Sequence, residues 1–118
     1  MYNNLSIENL MKTNWFKQFN EEQQREIKIG LNEGLDVSWY AKKEFSEGEM
    51  YLIRIGLEDD LDVSLYATER FNTKQRVEIL AGLRNGLDVS KYATPELTDE
   101  EMSKIREKLM KENEKNTQ

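Results

Sequence analysis

The sequence predicts an all-α protein, a solenoid-like stack of short αα-hairpin repeats closed by N- and C-terminal caps. Three observations carry that expectation. A 26-residue period places Phe19, Phe45 and Phe71 at the start of three units and Leu97 at the start of a fourth. Every unit opens on the same helix-start device. The helices that follow are apolar on two faces, as elements packed between neighbours must be.

Residues 1–18 precede the repeats and read as a capping segment. Ser6 is positioned to cap a short helix that carries Ile7, Leu10 and Met11 on one face. Trp15, Phe16 and Phe19 then form an aromatic cluster suited to covering the first repeat.

The three units of residues 19–96 share ten identical positions: Phe, Ile, Gly, Leu, then Leu-Asp-Val-Ser, Tyr and Ala. Asn20, Ser46, Asn72 and Thr98 stand three residues before Gln23, Glu49, Gln75 and Glu101. That spacing is a capping box, in which each side chain satisfies the other residue's backbone N–H. Met50 and Met102 complete a hydrophobic staple in the second and fourth units. Gln24 and Arg76 stand there in the first and third and offer only their stems.

A helix of about 14 residues then runs to Gly34, Asp60 or Gly86, where a left-handed residue is expected to end it. Asp60 departs from the glycine pattern, and its Cβ is less comfortable in that conformation. Asp36, Asp62 and Asp88 then read as N-caps of a second, short helix over Val-Ser-x-Tyr-Ala. Tyr40, Tyr66 and Tyr92 are expected as half-buried wedges with the hydroxyl at the surface.

On the long helices, Ile27, Gly30 and Leu31 and their equivalents form one stripe. Ile29, Tyr51 with Ile55, and Val77 with Ala81 form the second, which inter-repeat packing is expected to cover. Gly30, Gly56 and Gly82 each cost their helix about 1 kcal/mol relative to Ala, which points to a close helix-to-helix contact. Residues 97–118 form a C-terminal capping helix whose outer face, with Ser103 and Glu107, is polar. Its tail, from Lys111 to Gln118, is expected to fray. One domain is expected overall.

Composition narrows the chemistry. The 118 residues include no Cys and no His, which removes disulfides, thiolate metal sites and the usual general base. Seventeen basic and 23 acidic residues leave a net charge of −6, so nucleic acid and anionic membranes are not expected as partners. No apolar run approaches the roughly 20 residues that span a bilayer, and no basic-then-apolar leader opens the chain. A cytoplasmic, non-enzymatic protein without cofactor or metal is the expectation. Ser38, Ser64 and Ser90 could suggest nucleophiles, but a capped helix start accounts for each Asp-x-Ser.

Binding specificity in a repeat protein is written at its variable positions. The one variable letter of the closing motif is Trp39, Leu65 or Lys91, and Trp39 beside Tyr40 is a candidate hot spot. Leu52 makes the second helix apolar nearly all round and is a candidate contact. Glu58, Asp59, Asp60 and Asp62 lack calcium-loop spacing. With Glu44, Glu47, Glu49 and Glu69 they form a candidate acidic surface that meets a basic partner or mimics nucleic acid.

Units of the form Phe-Asn-x-x-Gln-Met-x-Glu-Ile-x-x-Gly-Leu-x-x-Gly-Leu-Asp-Val-Ser-x-Tyr-Ala resemble tandem repeats in poorly characterised proteins of Firmicutes and of their phages and conjugative elements. The resemblance covers residues 19–97 and implies no catalytic residues. It implies a mobile-element context, in which small acidic proteins often block host defence or modulate a host factor. The expected function is protein–protein binding, with an inhibitor of a nuclease-based defence such as CRISPR, seated in a basic groove, as its sharper form. A structural or self-associating repeat protein, forming homo-oligomers through its apolar faces, is the alternative.

Overall fold

The computed structural model describes residues 4–116, and side chains from Ser6 to Lys115. The first three residues of the capping segment and the last two of the tail therefore lie outside the described residues. Among the described residues there are six α-helices, three single 3-10 turns and no strand. No helix among them is long and apolar enough to cross a membrane. Contacts divide the chain into two compact units, Met1–Asp60 and Leu61–Gln118.

In the first unit, α1 (Asn4–Met11) packs on α3 (Glu21–Asn32) and buries Ile7. Ser6 lies inside α1 rather than capping it, because the helix begins two residues earlier. A short α2 (Asn14–Lys17) follows, capped by Thr13, whose hydroxyl accepts from Phe16 N–H at 3.2 Å. Phe16 and Phe19 are buried, and Trp15 stands edge-on to Phe19 with centroids 5.5 Å apart. The helix α4 (Glu47–Glu58) packs beside α3. In the second unit, α5 (Thr73–Arg84) packs against α6 (Asp99–Asn116).

All four capping boxes form. In the first, Asn20 N–H donates to Gln23 Oε1 at 2.9 Å while Gln23 N–H donates to Asn20 Oδ1 at 2.8 Å. The last joins Thr98 and Glu101 in the same way. Helices α3, α4 and α5 stop where expected, with Gly34, Asp60 and Gly86 at φ of 73°, 57° and 70°. Past that residue, Leu35 N–H donates to Gly30 O at 2.9 Å and Leu87 N–H to Gly82 O at 3.0 Å, which closes the helix ends.

Each closing motif holds a single 3-10 turn, such as Val37–Trp39, in place of a five-residue helix. Asp36 is its cap, accepting from Ser38 N–H at 3.1 Å and from the Ser38 hydroxyl at 2.5 Å.

Four further expectations are corrected. Tyr40 and Tyr92 are wholly buried, hydroxyl included: each donates to a carbonyl of its own unit, Glu26 O at 2.6 Å and Glu78 O at 2.7 Å. Gly30 and Gly82 therefore admit this tyrosine and the valine of the 3-10 turn, not a neighbouring helix. A Cβ on Gly30 would fall on the Tyr40 hydroxyl and 2.7 Å from Val37 Cγ1. The second apolar face is not covered throughout, since Tyr51 and Val77 are 46% and 45% exposed. Where the tail is expected to fray, α6 continues as helix past Lys111 to Asn116. Glu107 and Lys111, and Lys108 and Glu112, stand at the i, i+4 spacing that supports an exposed helix.

A second period, two repeats long, lies over the first. Gln23 in the first unit sends its amide to Lys43 O and Phe45 O, and Gln75 sends its own to Pro95 O and Leu97 O. Glu26 accepts from Arg54 Nε at 2.6 Å, and Glu78 accepts from Arg106 Nε at 2.8 Å. Each two-repeat unit is thus tied by one glutamine and one Glu–Arg pair.

Candidate functional site

The residue at the centre of the first helical pair is Arg54. Its guanidinium is nearly buried and meets Glu26 from α3 and Glu58 one turn ahead on α4. Its cationic carbon lies 5.3 Å from the Tyr51 ring centroid, a cation–π distance. Glu33, the C-cap of α3, brings a third carboxylate within hydrogen-bonding reach of Glu58. Partial desolvation, and then the Glu58 charge, hold the Glu33 carboxyl above the usual carboxylate range, with Arg54 opposing the shift. One cation therefore stands among three anions. Among the described residues no cluster of carboxylates is arranged to hold a metal ion.

Helical spacing places the rest of this face. Tyr51, Ile55 and Glu58 stand at i, i+4 and i+7 on α4, and Ile29 and Glu33 at i and i+4 on α3. Ile29 and Ile55 are half-buried. The face thus runs from an exposed aromatic ring through aliphatic side chains to paired carboxylates.

A second apolar feature lies in the first unit. Leu10, Trp15, Leu31, Leu35 and Val37 line an open hollow of about 280 Å³ beside Asp36 and Ser38. Trp15 is 37% exposed, and Trp39, at the end of the turn that supplies Val37, is 39% exposed.

The structure scatters the residues that the sequence singled out. Trp39 is exposed, as a contact residue must be, and Leu65 is half-buried. Tyr40 and Leu52 are buried, and neither presents a surface to a partner. For Tyr40 the cause is the void left by Gly30, which draws the ring inward. Glu58, Asp59 and Asp60 are exposed at the end of the first unit. Asp62 belongs to the second and is occupied as a cap, accepting from Ser64 N–H at 3.2 Å.

Sequence reasoning missed Glu33 and Arg54, and it assigned Tyr51 to packing. The signal was present in the recurrence of Glu and Arg at one and the same separation, in Glu26–Arg54 and again in Glu78–Arg106. A 26-residue register hides it, because each partner occurs only in alternate units.

Comparison with family models, with curated proteins and with solved structures finds no match to this chain.

Proposed function

We propose that this chain is a non-enzymatic protein-binding module whose binding side is its first unit. The observation that carries this reading is the distribution of exposed aromatic rings. Trp15, Trp39 and Tyr51 are the exposed aromatics among the described residues, and all three lie before Leu61. Exposed Trp and Tyr are disproportionately the residues that anchor protein interfaces. Charge is distributed in the same sense. Residues 1–60 hold 12 acidic and 7 basic side chains, whereas residues 61–118 hold 11 and 10. An acidic, aromatic surface suits a partner with basic character.

The architecture we favour is the solenoid-like stack that the 26-residue period implies, in a cytoplasmic protein of a phage or other mobile element. An inhibitor that occupies a basic groove of a host defence nuclease is the sharper form of this reading. It is supported by the acidic first unit and by the resemblance of the repeats. Affinity capture from the source organism tests it, with Trp15→Ala and Trp39→Ala run in parallel. The expected result is a single partner held by the parent and lost from the variants; retention of that partner by both variants refutes the role of the aromatic side.

Self-association is the second reading, favoured by the exposure of Tyr51 and Val77 at the same position of successive repeats. Sedimentation at two concentrations separates the two, and a constant monomer mass removes the second.

A further inference from the structure

The α3–α4 face is more elaborate than the fold requires, and the second unit demonstrates it. A shift of two repeats carries Glu26 and Arg54 onto Glu78 and Arg106, which form the same ion pair. The same shift carries Tyr51 onto Ser103, Ile55 onto Glu107, Glu58 onto Met110 and Glu33 onto Asn85. In the second unit Arg106 meets Ser103 Oγ at 3.5 Å and Met110 Sδ at 3.7 Å, and one carboxylate balances it. The structural pair is therefore kept without the aromatic ring and without the extra carboxylates. Those three side chains do something besides hold helices together.

We propose that the face bearing Tyr51, Ile55, Glu58 and Glu33 docks a basic amphipathic helix of a partner protein. One lysine or arginine of that helix sits between the Glu33 and Glu58 carboxylates, and its apolar side chains lie on Tyr51 and Ile55. This rests on the reading of the chain as a binding module and names the chemistry of its partner.

Charge and spacing both select this occupant. The Glu26 and Glu58 carboxylates on one guanidinium, with Glu33 beside Glu58, leave a local excess of negative charge, which a second cation would balance. The like charges of Glu33 and Glu58 are held against each other, and partial desolvation already disfavours the charged Glu33 carboxyl. Apolar contact comes from Tyr51 and Ile55, and the carboxylates follow about one helical turn, roughly 5.4 Å, further along α4. A helix with an apolar residue and a cation one turn apart matches that spacing. Nucleic acid and an anionic lipid surface present phosphates and would be repelled.

A second copy of this chain is the competing occupant. Its α6 carries exposed Lys104, Lys108, Lys111 and Lys115 along one stripe. Glu107 and Glu112 are exposed beside these lysines, so the helix is charge-balanced and a poor match for a site in cationic deficit.

The test uses the full chain and a defined probe, a synthetic helical peptide of leucine and lysine placed at i, i+4 spacing. A leucine–glutamate peptide of the same pattern is the control. Binding is read by fluorescence anisotropy, with folding of each variant checked by circular dichroism. The lysine peptide should bind and the glutamate peptide should not. Tyr51→Ser and the double variant Glu33→Gln with Glu58→Gln should each weaken binding about ten-fold or more, whereas Glu100→Gln, exposed in the second unit, should leave it unchanged.

Binding of both peptides alike, or a lysine-peptide affinity indifferent to Tyr51→Ser, overturns the proposal. So does a concentration-dependent mass of the unmixed chain that Glu58→Lys abolishes, since the occupant is then a second copy. If the peptide assay fails while Trp39-dependent capture of a partner succeeds, only this face is refuted. If both fail, the binding-module reading falls with it.

Discussion

Gly30 and Gly82 set tight steric limits, because each leaves room for a phenol that the chain then buries completely. Gly30→Ala should cost about 3 kcal/mol, from overpacking together with loss of the Tyr40 bond to Glu26 O, measured by urea denaturation. The same burial makes the phenols alkaline sensors. Desolvation raises Tyr92 to about 12, and Tyr40 further, against an ordinary value of about 10. In the folded state the neutral phenol is favoured, so its stabilisation is complete below the unfolded pKa. It is lost as pH rises from about 10 towards the folded value. Unfolding should therefore set in above about pH 10, and Tyr92→Phe should move it to higher pH, followed by circular dichroism. Asp60 illustrates the opposite balance, a Cβ held at φ 57° where its counterparts are glycine. Asp60→Gly should stabilise by about 0.5 kcal/mol, since relief of left-handed strain exceeds the added unfolded-state entropy.

At the scale of the element, the long helices share a start and a stop but differ in how they are tied. Gln23 and Gln75 use the side-chain carbonyl for the capping box and the amide for two carbonyls at the threshold of the next repeat. A glutamate can do only the first. Glu101 does no more than this and sits in solvent. Gln75→Glu should thus destabilise by about 2 kcal/mol at neutral pH, with a carboxylate set against Pro95 O and Leu97 O. Its folded pKa would be raised, so the loss should shrink as pH falls through that raised value and be gone below about 4, where the carboxyl is protonated in both states. Glu101→Gln should leave the melting temperature unchanged. The residue after each capping box follows the same alternation. Met50 and Met102 are wholly buried, whereas Gln24 donates to Phe16 O and Phe19 O, and Arg76 to Tyr66 O and Thr68 O.

At the scale of the molecule, the two units share a framework and diverge on its surface. Each has its own glutamine tie and Glu–Arg pair, so each should open as a cooperative group in native-state hydrogen exchange. Glu26→Ala, which removes the inter-helix carboxylate of the nearly buried Arg54 and leaves it only Glu58 on its own helix, should lower protection in α3 and α4 far more than in α5 and α6. Among the described residues the exposed rings are confined to the first unit, which also carries most of the charge excess, and partner-blocking substitutions should cluster there.

The sequence by itself determined the local devices: four capping boxes, three left-handed helix stops, three Asp-capped turns and the period that orders them. Each involves near neighbours along the chain, so it can be read without knowing what lies across the fold. Only the tertiary structure decided which apolar side chains remain outside. Tyr40 and Tyr51 are both tyrosines on repeat helices or turns, yet one is fully enclosed and the other 46% exposed. The difference lies in what each meets, a glycine notch on the preceding helix for Tyr40 and open solvent beside Arg54 for Tyr51. The Glu26–Arg54 pair joins two successive repeats, and its charge balance depends on Glu33 and Glu58 arriving from two helix ends. Such a site is a property of packing, and no 26-residue register could display it.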